Sequence, residues 1–413
     1  MNSVKRYIPE KVYEKIQTLH FKNKEHLYVI CDMIYRSTMY KKEDKDYSNQ
    51  YIDVPRYYFR DIFADYYVYI DYLIENSIIH CDGISSKEAG KALGYKFDDS
   101  YISKLITIEV KKHTTAKKII KNRNDRNNFV NQDLHIYREH FLNTFKIDYD
   151  KAIEYLNKWF DKSISNTNLN SSYVAGFLDQ EYIKILNKYN HIFLSLSAIN
   201  DGDLFFRKND TNNRIDTNLT SLKSEYKQFI VSQETLYQID IINSQPFILS
   251  LLLNSSYVAS FLDKKELEKY TDWTGSGLFY ELFEKTYKEN TGKILNRKQI
   301  KDMMFCIFYS KNISYKKEKE IFSSIFPSIS KWISEQKEDN HNQFAITLQK
   351  IESKICIEII CKEMDKENIK YYTIHDAWLV NKEDIQKTQK IIMSNFYKYF
   401  NRRPEMKIEK IDF

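Results

Sequence analysis

Glycine, proline and cysteine are all scarce: the 413 residues include 8 Gly, 5 Pro and 5 Cys. No internal repeat or low-complexity tract occurs, which excludes a repeat array. Cys31, Cys81, Cys306, Cys356 and Cys361 form no C-x-x-C pair and make an odd total, so the expectation is free thiols in a reducing compartment, not a disulfide framework. Residues 1–15 lack a cationic and apolar leader, and no uninterrupted apolar run is long enough for a bilayer. A soluble, intracellular (cytoplasmic) protein with no membrane partner is expected.

The length gives room for two or three domains and a substantial core. A net charge of +6 and a pI near 8.6 permit nucleic-acid binding without requiring it. The 33 Tyr, with abundant Lys, Asn and Ile, read as compositional bias. Between Lys104 and Arg126 lies the densest basic stretch, with Lys111, Lys112, Lys117, Lys118, Lys121, Arg123 and Arg126. Its functional reading is phosphate contact; a solvated linker would have the same composition. Residues 51–101 read as helix, turn, helix and a short β pair, with Asp53 capping a helix that starts near Pro55 and a second helix over 64–76. The S-I-I-H-C-D-G and G-K-A-L-G-Y-K-F-D-D strings resemble the hairpin of a winged-helix module, and a small α+β packing unit is the alternative.

The most informative segment is R-K-Q-I-K-D-M-M-F-C-I-F-Y, which sets Arg297, Lys301, Phe305 and Tyr309 at four-residue intervals on one helical face. Two cations above two aromatic rings suit a nucleoside triphosphate, although a basic amphipathic helix with buried aromatics would give the same spacing. Upstream, L-Y-Q-I-D-I-I-N-S-Q-P-F-I-L-S-L-L-L places Asp240 at the end of an apolar strand-like run, with a helical run after Pro246. Downstream, Y-Y-T-I-H-D-A-W-L-V is a strand pattern broken only by His375 and Asp376. An unpaired carboxylate there costs several kcal/mol, so Asp376 belongs at a hairpin turn or on a cation.

These segments resemble motifs A, B and C of the family A DNA polymerase and single-subunit RNA polymerase superfamily, and they occur in that order. Asp240 and Arg297 are 57 residues apart, and Lys301 and Asp376 are 75 apart. The helical stretch over 344–368 resembles the long helix that precedes motif C, with Gln349 and Glu352 as contacts to a primer-template or as a solvated face. The run over 321–333 resembles the helix between motifs B and C. The resemblance implies an α+β fold: a right-hand palm, an antiparallel sheet with helices, plus helical fingers, joined to a mainly helical N-terminal region that includes the winged-helix candidate. The expected organisation is a nucleic-acid-binding region over 1–127, a helical connector or thumb-like region over 128–194 with Tyr155, Leu156, Trp159 and Phe160 as core, and palm and fingers over 195–413, the fingers at about 255–335. The alternating character of the segment 198–231 suggests a β entry to the palm.

The resemblance also implies the site. Asp240, Asp376 and the carbonyl of Ile241 would hold two Mg2+ ions, with Mn2+ as a substitute. Arg297 and Lys301 would hold the triphosphate, Phe305 would stack on base or sugar, Tyr309 would close the pocket, and His375 would contact the primer terminus. Arg207, Arg214 and Gln349 would touch primer or template. The implied partners are nucleoside triphosphates and a DNA or RNA primer-template.

Three positions depart from the family pattern. Gln245 stands where the DNA polymerases carry Glu and the RNA polymerases Gly, unless the register slips and aligns Ser244-Gln245 with an earlier Ser-Gln. Phe305 favours the DNA side. Ala377 replaces the usual Glu or Ser, and Ser310 the usual Gly. No set of four spaced acidic residues for proofreading precedes the palm, and there is little room for a promoter-binding region. A compact DNA polymerase of a phage or mobile element is the favoured expectation. RNA polymerase, primase or untemplated addition in a defence protein is the variant, and a non-catalytic replication initiator the alternative from another class.

Overall fold

The computed structural model describes residues 4–38, 51–88, 90–127, 134–167, 173–174, 177–232 and 234–411. The chain is mixed α+β, mainly helical with small antiparallel sheets, the class expected from the sequence. It divides into two compact units. The first comprises Met1–Phe129, Lys146–Phe205 and Ser221–Val231; the second comprises Val130–Phe145, Phe206–Thr220 and Ser232–Phe413.

The first unit is built around the helix Lys24–Thr38, which is buried without interruption from His26 to Tyr35. A helix covered all round belongs in a core. It packs on the antiparallel pair Val4–Pro9 and Leu105–Val110, in register from Val4↔Val110 to Pro9↔Leu105. The buried Asp32 is satisfied by the Tyr7 N–H at 2.8 Å and by Arg36 Nε at 2.9 Å. The helices Arg56–Arg60 and Tyr66–Glu75 lead into a three-stranded sheet in which Gly94–Phe97 lies between Ile52–Asp53 and Ile79–Cys81. Gly94 is required there, because a Cβ would come within 2.8 Å of both the Asp82 carboxylate and Tyr51 Cβ.

Two local expectations fail in this unit. Asp53 lies in a strand, and the helix Arg56–Arg60 has Pro55 at its N-cap with no side-chain cap. On Tyr149–Asn166 the buried stripe runs Ala152, Leu156, Phe160 in four-residue steps. Tyr155 falls one position off that stripe and is 40% exposed, with its ring edge against Tyr226. Within the helical region expected over 128–194, residues 128–133, 168–172 and 175–176 lie outside the described residues, as does the Arg126 side chain.

The second unit holds a four-stranded antiparallel sheet in the order Tyr371–Ile374, Ala377–Asn381, Leu236–Ile241, Met406–Lys410. The helix His341–Ser353 continues through a π-helical stretch, Lys354–Cys361, into Lys362–Lys366 and then the sheet. This is the helical path expected over 344–368, with a widened turn that the sequence did not disclose. The helix Arg297–Tyr309 starts at a capping box between Asn296 and Gln299 and buries Ile300, Met304, Ile307 and Phe308. The stretch 321–333 is two helices, Lys316–Ile325 and Pro327–Glu335. Pro327 bars the helical conformation at Phe326, whose φ and ψ are −136° and 67°. Within 198–231, where β structure was expected, Phe206–Lys208 and Ile215–Thr217 form an antiparallel pair. All five cysteines are free, and among the described residues no helix is long and apolar enough to cross a membrane.

Candidate active site

Asp240 is the fifth residue of an interior strand, paired with Ala377 on one side and Lys407 on the other. Asp376 immediately precedes Ala377, in the two-residue turn that closes the hairpin of Tyr371–Ile374 and Ala377–Asn381. The turn therefore delivers Asp376 beside Asp240, and a hairpin turn was one of the two places open to it. His375 has φ +58°, the left-handed conformation that such a turn requires and that costs a non-glycine residue about 1 kcal/mol.

The two carboxylates repel. Burial, then the charge of Asp376, pushes Asp240 up to about 6, against the opposing pull of Lys301 and Lys407. Paired oxygen ligands in a half-buried site fit a hard divalent cation such as Mg2+, which takes one or two carboxylates and completes its shell with water or phosphate. Among the described residues no group of three or more His, Cys, Asp or Glu forms a closed cage.

A pH dependence follows with a definite sign. Asp240 titrates higher in the folded chain than its ordinary 3.8, so the metal-free fold binds more protons than the unfolded chain between about pH 4 and pH 6. Its contribution to stability is present at the acid end of that window and lost as pH rises through about 6. Asp240→Asn should therefore gain stability relative to wild type between pH 4 and pH 7.5 in urea titrations without metal. Mg2+ should raise the wild-type midpoint at pH 7.5 and leave that of Asp240→Asn unmoved. Parallel pH profiles would refute this reading.

The helix Arg297–Tyr309 carries the cationic and aromatic row. Arg297 and Lys301 are exposed, and Phe305 and Tyr309 are half-buried. Lys301 Nζ lies 5.8 Å from the Phe305 ring centre, and the Phe305 and Tyr309 rings stack at 5.9 Å and 24°. Since Lys301 also acts on Asp240, the row runs towards the carboxylates. Arg297 binds Glu281 at 2.7 Å and lies 5.3 Å over Tyr280. Sequence reasoning missed both partners, which sit on the preceding helix Phe279–Thr291 with no spacing to mark them.

A part-buried chain of hydrogen bonds ties the row to the rest of the unit. Tyr309 donates its hydroxyl to Gln245 Oε1 at 2.5 Å, and Gln245 Nε2 donates to Glu352. Arg214 meets the same carboxylate, with Nη2 at 2.6 Å and Nε at 2.9 Å from Oε1. Glu352 is 1% exposed, so it neither faces solvent nor is open to a duplex as the sequence allowed. Burial, then Asp376, pushes it up to about 7 against the pull of Arg214. Gln349 accepts from Asn212 Nδ2 at 3.1 Å. Arg207 is exposed, 3.4 Å from Asp216. The structure thus brings Asp240, Ile241, Asp376, His375, Lys301, Gln245 and Tyr309 into one unit with Arg214 and Gln349, while Arg207 stays at its surface.

No family model matches this sequence, and no curated protein matches it. Among solved structures, the chain is similar to the POL domain of Pol1 from M. smegmatis in complex with DNA primer-template and dNTP. The TM-score is 0.46 at 11% identity, over 67% of this chain and 68% of that one.

The remaining predicted residues belong to the first unit. Lys111 and Lys112 join the strand Leu105–Val110 to the helix His113–Asn127, and their backbone N–H groups bind the Glu25 carboxylate at 2.8 and 3.1 Å. Lys118 Nζ donates to the Ile62 carbonyl at 3.0 Å. All four lysines, Lys117 included, have exposed side chains.

Proposed function

We propose that the second unit performs template-directed nucleotidyl transfer, as a compact DNA polymerase of the family A kind. One observation carries this reading: the Asp240–Asp376 pair lies within electrostatic reach of Lys301, on the helix face shared with Arg297, Phe305 and Tyr309. In this reading the sheet is the palm and the Arg297–Tyr309 helix belongs to the fingers.

Asp240 and Asp376, with the Ile241 carbonyl, would hold the magnesium ions. Bound there, the metal supplies acidification of a primer 3′-hydroxyl and charge neutralisation at the phosphates. Lys301 and Arg297 orient the β- and γ-phosphates and stabilise the charge that builds towards the pyrophosphate leaving group. Phe305 offers a flat apolar face to the incoming base or sugar, and the Tyr309–Gln245 pair bounds the pocket where the sugar lies. His375, held at the turn, is positioned for the primer terminus. Arg214 and Gln349 act from within the unit, and Arg207, exposed beside Asp216, would contact phosphate. The lysines of the first unit would add salt-dependent affinity for the duplex.

Extension of a labelled primer, annealed or single-stranded, with either sugar form of the triphosphates tests the reading. Template-complementary products that need Asp376 support it; untemplated products or none would overturn it. Replacing Gln245 with glycine opens space beside the sugar and should raise ribonucleotide use about tenfold or more. An unchanged sugar ratio would mean that another residue meets the 2′ position.

A further inference from the structure

The C-terminal end of the helix Arg297–Tyr309 is held from two directions. The last four carbonyls of a helix have no partner within it, and the chain leaves this one at Ser310 in an extended conformation, without a left-handed cap residue. Ser310 donates twice to the Cys306 carbonyl, from its N–H at 3.1 Å and from its Oγ at 2.6 Å. A glycine in its place would have no hydroxyl to offer. Lys319, on the helix Lys316–Ile325, donates to Ser310 Oγ and to the Ser314 carbonyl, each at 2.8 Å, and to the Lys311 carbonyl. Lys337 follows the helix Pro327–Glu335 and donates to the Ile307 carbonyl at 2.8 Å and the Ser310 carbonyl at 3.3 Å. Its ammonium thus bridges the backbone on either side of Tyr309.

This is a costly way to end a helix. Water or a single glycine satisfies most helix ends. Here Lys337 is 4% exposed, and burial, then the charge of Lys319, pulls it down to about 8. Both ammonium groups reach the Ser310 carbonyl, at 3.3 and 3.4 Å, so two like charges converge on one turn. The partial negative charge of the helix end offsets that repulsion only in part. Capping alone does not require a second cation. A second cation does fix the turn in space, because the two lysines come from different helices. The residue so fixed is Tyr309, whose ring stacks on Phe305.

We infer that Lys337 and Lys319 are positioning residues for nucleotide binding: through Ser310 and the flanking carbonyls they hold the last turn of the row helix, and with it the Phe305 and Tyr309 rings, where the incoming base and sugar meet them. The inference rests on the polymerase reading above and extends it to residues outside the three motif segments. It also gives Ser310 a role that a glycine could not fill.

The test combines two measurements on wild type, Lys337→Met, Lys319→Met, Lys319→Arg and Ser310→Ala: hydrogen exchange across residues 303–312 by mass spectrometry, and KM and kcat for a deoxyribonucleoside triphosphate below the melting range. In both methionine variants exchange at the helix end should quicken several-fold, and KM should rise about tenfold with kcat within about threefold of wild type. Lys319→Arg keeps donors for the same acceptors and should stay within about threefold of wild type in KM. Lys319→Met with Ser310→Ala should be no worse than Lys319→Met alone, because both changes break one hydrogen bond. Folded methionine variants with wild-type KM would overturn the inference, even if they melt earlier, since a purely structural cap would change stability alone. A KM that rises equally in Lys319→Arg, or exchange that does not change, would overturn it as well. If Lys337→Met does not fold, Lys319→Met and Ser310→Ala, both at half-buried positions, decide the matter. A wild type that makes no template-complementary product overturns the polymerase reading and the nucleotide-binding role together. Wild-type synthesis with unmoved variants overturns the positioning role alone.

Discussion

Asp240→Ala and Asp376→Ala are each expected to abolish nucleotide addition, by about three orders of magnitude or more, while leaving the affinity for a primer-template within a few-fold of wild type. The two carboxylates lie close enough for Asp376 to raise Asp240, and in the proposed mechanism they hold the same metal ions. Removing either leaves the other with a smaller negative field for a divalent cation, and the loss falls on the chemical step. Asp240→Ala also removes a buried charge that is costly in the metal-free fold, so its thermal midpoint without Mg2+ should equal or exceed that of wild type at pH 7.5. Single-turnover extension with filter binding separates the two effects. Synthesis near the wild-type rate in either variant would refute the metal-ligand assignment, and a matching loss of DNA affinity would move these residues from chemistry to duplex binding.

What could be read from the sequence was local. The row Arg297, Lys301, Phe305, Tyr309 was legible because a four-residue period on a helix determines a face by itself, and the structure forms that helix over Arg297–Tyr309. Asp376 was legible at a turn because a carboxylate inside a β-branched, aromatic strand has few places to go. The proximity of Asp376 to Asp240 comes from strand pairing across the Ala377–Asp240 register, and separate segments carry no mark of that register.

The partners of Gln245 were hidden for the same reason. Glu352 reads as one more charged residue on a helix, and only the fold of the 212–214 loop onto that helix turns it inward against Arg214. Lys407, opposite Asp240, lies on a strand that follows the motif segments and carries no pattern of its own. At Phe326–Pro327 the break was written in the sequence: a proline ends the helical conformation of the residue before it, and one helix over 321–333 was not compatible with it.

Lys301→Ala should lower kcat/KM for the triphosphate by about 10²–10³-fold, with little change in DNA affinity. The ammonium is exposed on the face that runs towards the carboxylates, so its charge is directed at the substrate side of the site. Arg297→Ala should cost less, because its guanidinium is already shared with Glu281 and stacked over Tyr280 in the free protein. Lys301 also opposes the rise of Asp240 to about 6, so its removal should push that carboxyl higher still. At limiting Mg2+ the acid limb of the rate profile should accordingly shift to higher pH in Lys301→Ala, while Arg297→Ala leaves the limb in place. A Lys301 variant that loses DNA affinity in step with rate, at an unchanged pH profile, would make this lysine a duplex contact and leave the triphosphate to other residues.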